Sequence, residues 1–169
     1  MSKEFTELLA GDDLRSLGKS SEIIVLINNQ NSFDKLFFYL YANDRAIVMK
    51  TIDLIEKITL ENKKYLQKHK REILKFSNDI KNIEFKWHLA QIIVRPEYTN
   101  VEVKIVWEIL EKWILDKKES KIVRVNSLQS LYEIVKSNIE YQDSLKKIVK
   151  IIREENISSI NSRIKKLEL

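Results

Sequence analysis

Four residues of helix-capping type recur at one fixed step: Asp44, Asn82, Ser120 and Ser158, each 38 residues after the one before. Asp, Asn and Ser side chains accept a hydrogen bond from an amide in the first helical turn, so they mark where helices begin. The helices they open share apolar columns at the same step: Ile47, Phe85 and Val123; Ile52, Ala90 and Leu128; Ile55, Ile93 and Leu131. The helices before them keep the register through Phe38, Phe76, Ile114 and Ile152. A pair of helices cannot bury its apolar face alone, so equal pairs stack on one another. The expectation is an all-α chain, a right-handed α-solenoid of about four helical hairpins with a step near 38 residues.

Composition points the same way. Two glycines and one proline in 169 residues are too few for the turns of an all-β protein. Hydrophobic content of 44% with 33% charged residues suits a folded chain, and one domain spanning 1–169 is expected, with 1–30 as N-terminal capping helices and 31–169 as repeats. Absent cysteine removes disulfides, thiolate metal sites and thiol catalysis. The opening stretch MSKEFTELLAGDDLRSLGKS does not read as a signal peptide, and no apolar run approaches the roughly 20 residues of a membrane span. No membrane role and a cytoplasmic location are therefore expected.

Apolar residues at three- and four-residue spacing predict helices over 33–42, 44–59, 62–79, 83–94, 101–116, 120–137 and 142–155, a short helix after Ser158, and a weaker one over 20–29. Connections of two to six residues would join them.

The unit resembles a HEAT repeat: a first helix, a tight turn, then a second helix with a basic residue after a hydrophobic one, as in IVRVNSLQSL. The segments DRAIVMKTIDLIEKIT, EFKWHLAQII, SKIVRVNSLQSLYEIV and SSINSRIKKL are similar to small bacterial HEAT-like proteins of unassigned function, over most of residues 20–169. The resemblance implies a charge ladder between an acid near the turn and a base early in the second helix, with Asp116 and Arg124 in those places and Asp79 and Lys86 as a poorer match. Val48 stands in the basic column of the first unit and departs from the pattern.

Candidate site residues follow from helical wheels. Phe85, Leu89, Ile92 and Ile93 form the core stripe of their helix, with Lys86 at its edge; Arg124 sits likewise beside Leu128, Leu131 and Val135. A base there pairs with an acid or meets an anion, because a lone buried charge is costly. Trp87 shares a column with Met49 and Val125 and reads as the seam between units, or else as an indole that stacks on a ligand. Lys50, His88 and Asn126 form one polar column; Asp53, Gln91 and Gln129 form the next. With Lys86, Trp87, Arg124 and Arg163 they make up the expected binding surface on the second helices, the side that solenoids use for partners. The bland alternative is a merely solvated face.

No catalytic constellation, metal site or cofactor is expected, and the reading favours a protein without enzymatic activity. Glu84 and His88 at i, i+4 lack a third ligand, and His69 in KKYLQKHKRE reads as exposed. The expected function is a scaffold or adaptor holding a protein partner. Nucleic acid is the competing partner. A net charge of +5, with basic runs Lys63, Lys64, Lys68, Lys70, Arg71, Lys75 and Lys146, Lys147, Lys150, Arg153, supports a DNA-binding or DNA-repair reading similar to the alkylpurine glycosylases built from HEAT-like repeats.

Overall fold

The computed structural model describes residues 8–9 and 17–169, with the backbone alone at 17–20. Much of the expected capping region, 1–7 and 10–16, lies outside the described residues. Among the described residues, nine α-helices and three 3-10 segments follow in order from Leu17 to Lys166, and the fold is all-α. Contacts group the chain into two compact units, Met1–Lys68 and His69–Leu169.

The first unit holds α1 (Leu17–Leu26), α2 (Gln30–Phe37) and α3 (Arg45–Glu61). Asn29 opens α2 with a reciprocal box: its Oδ1 accepts from the Ser32 amide at 2.9 Å, and its own amide donates to Ser32 Oγ at 3.3 Å. Both α1 and α2 pack on α3. Phe33, Leu36, Ile52 and Ile55 are fully buried between them, and Phe33 stacks on Tyr65 at 5.0 Å.

Here the apolar register fails once. Phe38 is 61% exposed, because the chain tightens into a 3-10 turn at Phe38–Tyr41. A three-residue turn moves each side chain away from its α-helical position, so Phe37, Tyr39 and Leu40 take the core. The expected helix over 62–79 is also split. Lys63–His69 is 3-10 and α4 is Lys70–Asp79. Over 63–68 only Leu66 is fully buried, among exposed lysines, so there is no apolar stripe to hold an α-helix.

The second unit continues with α5 (Ile83–Ile92), α6 (Asn100–Leu115), α7 (Lys121–Ser137), a 3-10 turn at Ile139–Tyr141, α8 (Gln142–Glu154) and α9 (Ser158–Lys166). Sequential helices pack as pairs, α4 on α5, α6 on α7 and α8 on α9. Helices one pair apart pack too: α4, α6 and α8 follow one another, and so do α5, α7 and α9. This arrangement is that of a helical-repeat protein. Ile93, Leu110, Ile114, Leu128, Leu131 and Ile152 are fully buried, and both Trp107 and Trp113 lie in the core. Trp107 stacks on Tyr141 at 4.5 Å.

The caps hold at three of four places. Asp44 accepts from the Ala46 amide at 2.8 Å, Asn82 from Phe85 at 2.9 Å and Ser120 from Val123 at 3.3 Å. Ser158 is instead the first helical residue of α9, and Ile157 occupies the cap without a side-chain bond. Asn156 causes the shift: its left-handed backbone (φ 51°) turns the chain before the helix begins. The α5–α6 connection is longer than expected, because Pro96 disfavours helix at Arg95. Thr99 then opens α6 in a capping box with Glu102, whose carboxylate accepts from the Thr99 amide at 2.9 Å.

Candidate functional site

Eight of the ten expected surface residues lie in the second unit, on α5, α7 and α9: Lys86, Trp87, His88, Gln91, Arg124, Asn126, Gln129 and Arg163. Helix periodicity brings them to neighbouring helices, but most of them bind other parts of the protein. Arg124 is 1% exposed. Its Nη1 and Nη2 donate to the two Glu155 carboxylate oxygens at 2.8 and 2.9 Å, and its Nε donates to the Ile114 carbonyl at 2.8 Å. Three of its five N–H donors are used and the group is buried, so the guanidinium braces the protein rather than facing solvent.

Lys86 pairs with Glu119 and lies 5.1 Å above the Trp113 ring. The ladder therefore exists with other acids than expected. Asp116 is exposed and caps the following turn through the Lys118 amide at 2.9 Å; Asp79 is exposed as well. The acids used sit in the turn before the next second helix, Glu119 before α7 and Glu155 before α9. Sequence signals for them were an acid beside the cap at Ser120 and another shortly before Ser158. Hydrogen bonds from Arg124 hold the Glu155 carboxyl below the usual carboxylate range, against the opposing effect of burial.

Further bonds join the same helices. Asn126 Nδ2 donates to the Trp87 carbonyl at 3.3 Å, and Ser130 Oγ donates to the Ala90 carbonyl at 2.5 Å, both from α7 to α5. Arg163 Nη1 of α9 donates to Gln129 Oε1 of α7 at 2.6 Å, while Gln129 Nε2 donates to Glu133 at 2.8 Å. Trp87, Gln91, Asn126, Gln129 and Arg163 remain half-buried, so each still meets solvent.

His88 departs from the expectation of an outward-facing residue: it is buried, its ring 5.3 Å from that of Trp87. Helix α5 packs against both α4 and α7, so more than one face is covered. His69, expected to be exposed, is also buried, with Nδ1 3.9 Å from Glu72. The basic run from Lys63 to Lys75 is not wholly exposed, since Lys70 is half-buried and pairs with Glu102 at 2.8 Å.

In the first unit, Lys50 Nζ donates to the Leu9 carbonyl at 3.2 Å. Asp53 accepts from Lys57 at 2.6 Å on the same helix.

Glu102 binds Lys70 and the Thr99 amide together, and these hydrogen bonds, Lys70 first, hold its pKa down at about 2. Beside it the Tyr98 hydroxyl is buried without a hydrogen-bond partner among the described residues. Burial, with Glu102 second, raises its pKa.

No group of three His, Asp or Glu among the described residues is placed to hold a metal ion. Among them, too, no helix is long and apolar enough to cross a membrane. No family model, curated protein or solved structure matches the chain.

Proposed function

We propose that the chain is a non-catalytic binding scaffold that holds a protein partner on α5, α7 and α9. The observation that carries this reading is the set of polar bonds between those helices: Asn126 to Trp87, Ser130 to Ala90 and Arg163 to Gln129. They hold the half-buried amides of Asn126 and Gln129 and the guanidinium of Arg163 in place before any partner arrives, which lowers the ordering cost of binding. HEAT-like hairpins at a 38-residue step are the finer form of the same proposal. They are supported by the caps at Asp44, Asn82 and Ser120 and by the base-to-acid pairs Lys86–Glu119 and Arg124–Glu155.

Changing Gln91 and Gln129 together to Glu tests the surface. The two groups are half-buried, so the fold is expected to survive, as circular dichroism would verify. Partner recovery from cells should fall strongly, while Lys57→Glu leaves it unchanged. Equal recovery with both variants would remove the assignment.

One observation favours the DNA-binding alternative. Lys146, Lys147 and Lys150 are all exposed on α8. A duplex-DNA mobility shift that weakens steeply between low and moderate salt would support it. No shift at low salt would end it.

A further inference from the structure

A half-open cleft of about 590 Å³ lies in the second unit between α7, α8 and the turn after α9. Leu145 and Val149 of α8 form its apolar floor, with Val135 and Tyr132 of α7 beside them. Lys146 and Lys150, both exposed, stand on its rim. They are four residues apart on α8, so their side chains stand on one face of the helix.

The walls are fixed. Arg153 donates to the backbone oxygen of Leu169, which lines the cleft. That turn closes with Leu169 N–H on the Ile164 carbonyl at 3.2 Å, and it puts Glu168 at φ 57°. A left-handed backbone is unfavourable for a residue with a Cβ, so the packing around this turn imposes it. Lys136 Nζ sits 4.7 Å over the Tyr132 ring on the opposite wall.

Size and polarity select the occupant. The volume falls within the roughly 300–1,000 Å³ of small-ligand sites, which pair apolar walls with a few polar groups. Lys146 pairs with Asp143 at 3.1 Å with both side chains well exposed, and such a pair is weak. Glu154 and Glu168 also line the cleft and disfavour a second negative charge. An acidic peptide with many carboxylates is thereby less suited than a molecule with one.

We infer that this cleft binds a long-chain aliphatic carboxylate, its head on Lys146 and Lys150 and its chain along Leu145, Val149 and Tyr132. The site is separate from the polar surface of α5, α7 and α9 and does not depend on it.

The test is titration of the isotope-labelled 169-residue chain with dodecanoate below its micelle concentration, followed by amide NMR. Saturable shifts are expected at Tyr132, Leu145 and Val149. Lys146→Glu with Lys150→Glu should weaken binding roughly tenfold or more, the effect of losing a charge-assisted contact. Dodecanol, with the same chain and no charge, should bind comparably more weakly. Val149→Trp, which fills the cleft, should abolish the shifts while the circular dichroism spectrum stays helical. Absent saturation, or equal binding by dodecanol or by the double charge variant, overturns the inference. So does binding of a Leu/Glu-repeat helical peptide where dodecanoate fails, which would make the occupant an acidic helix.

Discussion

Arg124 shows how one residue can look like a ligand-binding group and serve as an internal brace. Its side chain is buried, and its charge is met by both oxygens of Glu155 and by a backbone carbonyl. Breaking such a pair from one side leaves an uncompensated buried charge and costs about 3–5 kcal/mol. Arg124→Ala should therefore lower stability by that order in urea melts. Arg124→Met combined with Glu155→Leu should recover most of the loss, because an apolar replacement removes both desolvation penalties. If the double variant is no better than the single one, the pairing is not what holds this position.

Glu102 sets a pH dependence. Its folded pKa, about 2, lies below the ordinary 4.5. The native state therefore favours the ionised form, and the stabilisation is complete above the unfolded value. It is lost as pH falls from about 4.5 toward 2. Glu155 acts in the same direction. Stability measured from pH 6 down to 2 should fall, and Glu102→Gln should flatten part of that slope. An unchanged slope in the variant would show that the Lys70 and Thr99 bonds do not supply it. Glu102 is partly exposed, so solvent screening keeps the effect small.

At the scale of elements, three capping side chains work and the fourth does not. Ser120→Ala should cost about 1 kcal/mol, the usual worth of an N-cap. Ser158→Ala should cost little, because Ile157 holds the cap position of α9 and Ser158 is exposed. Thermal melts of the two variants separate the cases, and equal losses would contradict the observed register. Helix existence was legible in the sequence because amphipathic spacing is a local property. The columns Ile52, Ala90, Leu128 and Ile55, Ile93, Leu131 are all fully buried. The 3-10 turns at Phe38 and Lys63 were not legible, since an α-helical wheel assumes the very geometry that these segments abandon. His88 was misplaced for a related reason. A single-stripe wheel suits a helix with one covered side, and α5 packs on two neighbours. The acids of the ladder were hidden as well, because Glu119 and Glu155 lie more than 30 residues from their bases and are chosen by tertiary packing.

The whole chain divides into two compact units, and the six helices of the second supply their own core. A fragment of residues 69–169 should accordingly be helical and melt cooperatively by itself. A non-cooperative fragment would show that its core needs the first unit. The central claim concerns what the α5, α7 and α9 surface is for, and the most direct measurement is photo-crosslinking in living cells. A photoreactive amino acid would replace Gln91 or Gln129, with Lys57 on α3 as the comparison position. The expected result is one discrete protein adduct, shared by Gln91 and Gln129 and absent at Lys57. Adducts with nucleic acid, or the same adducts at all three positions, would contradict it.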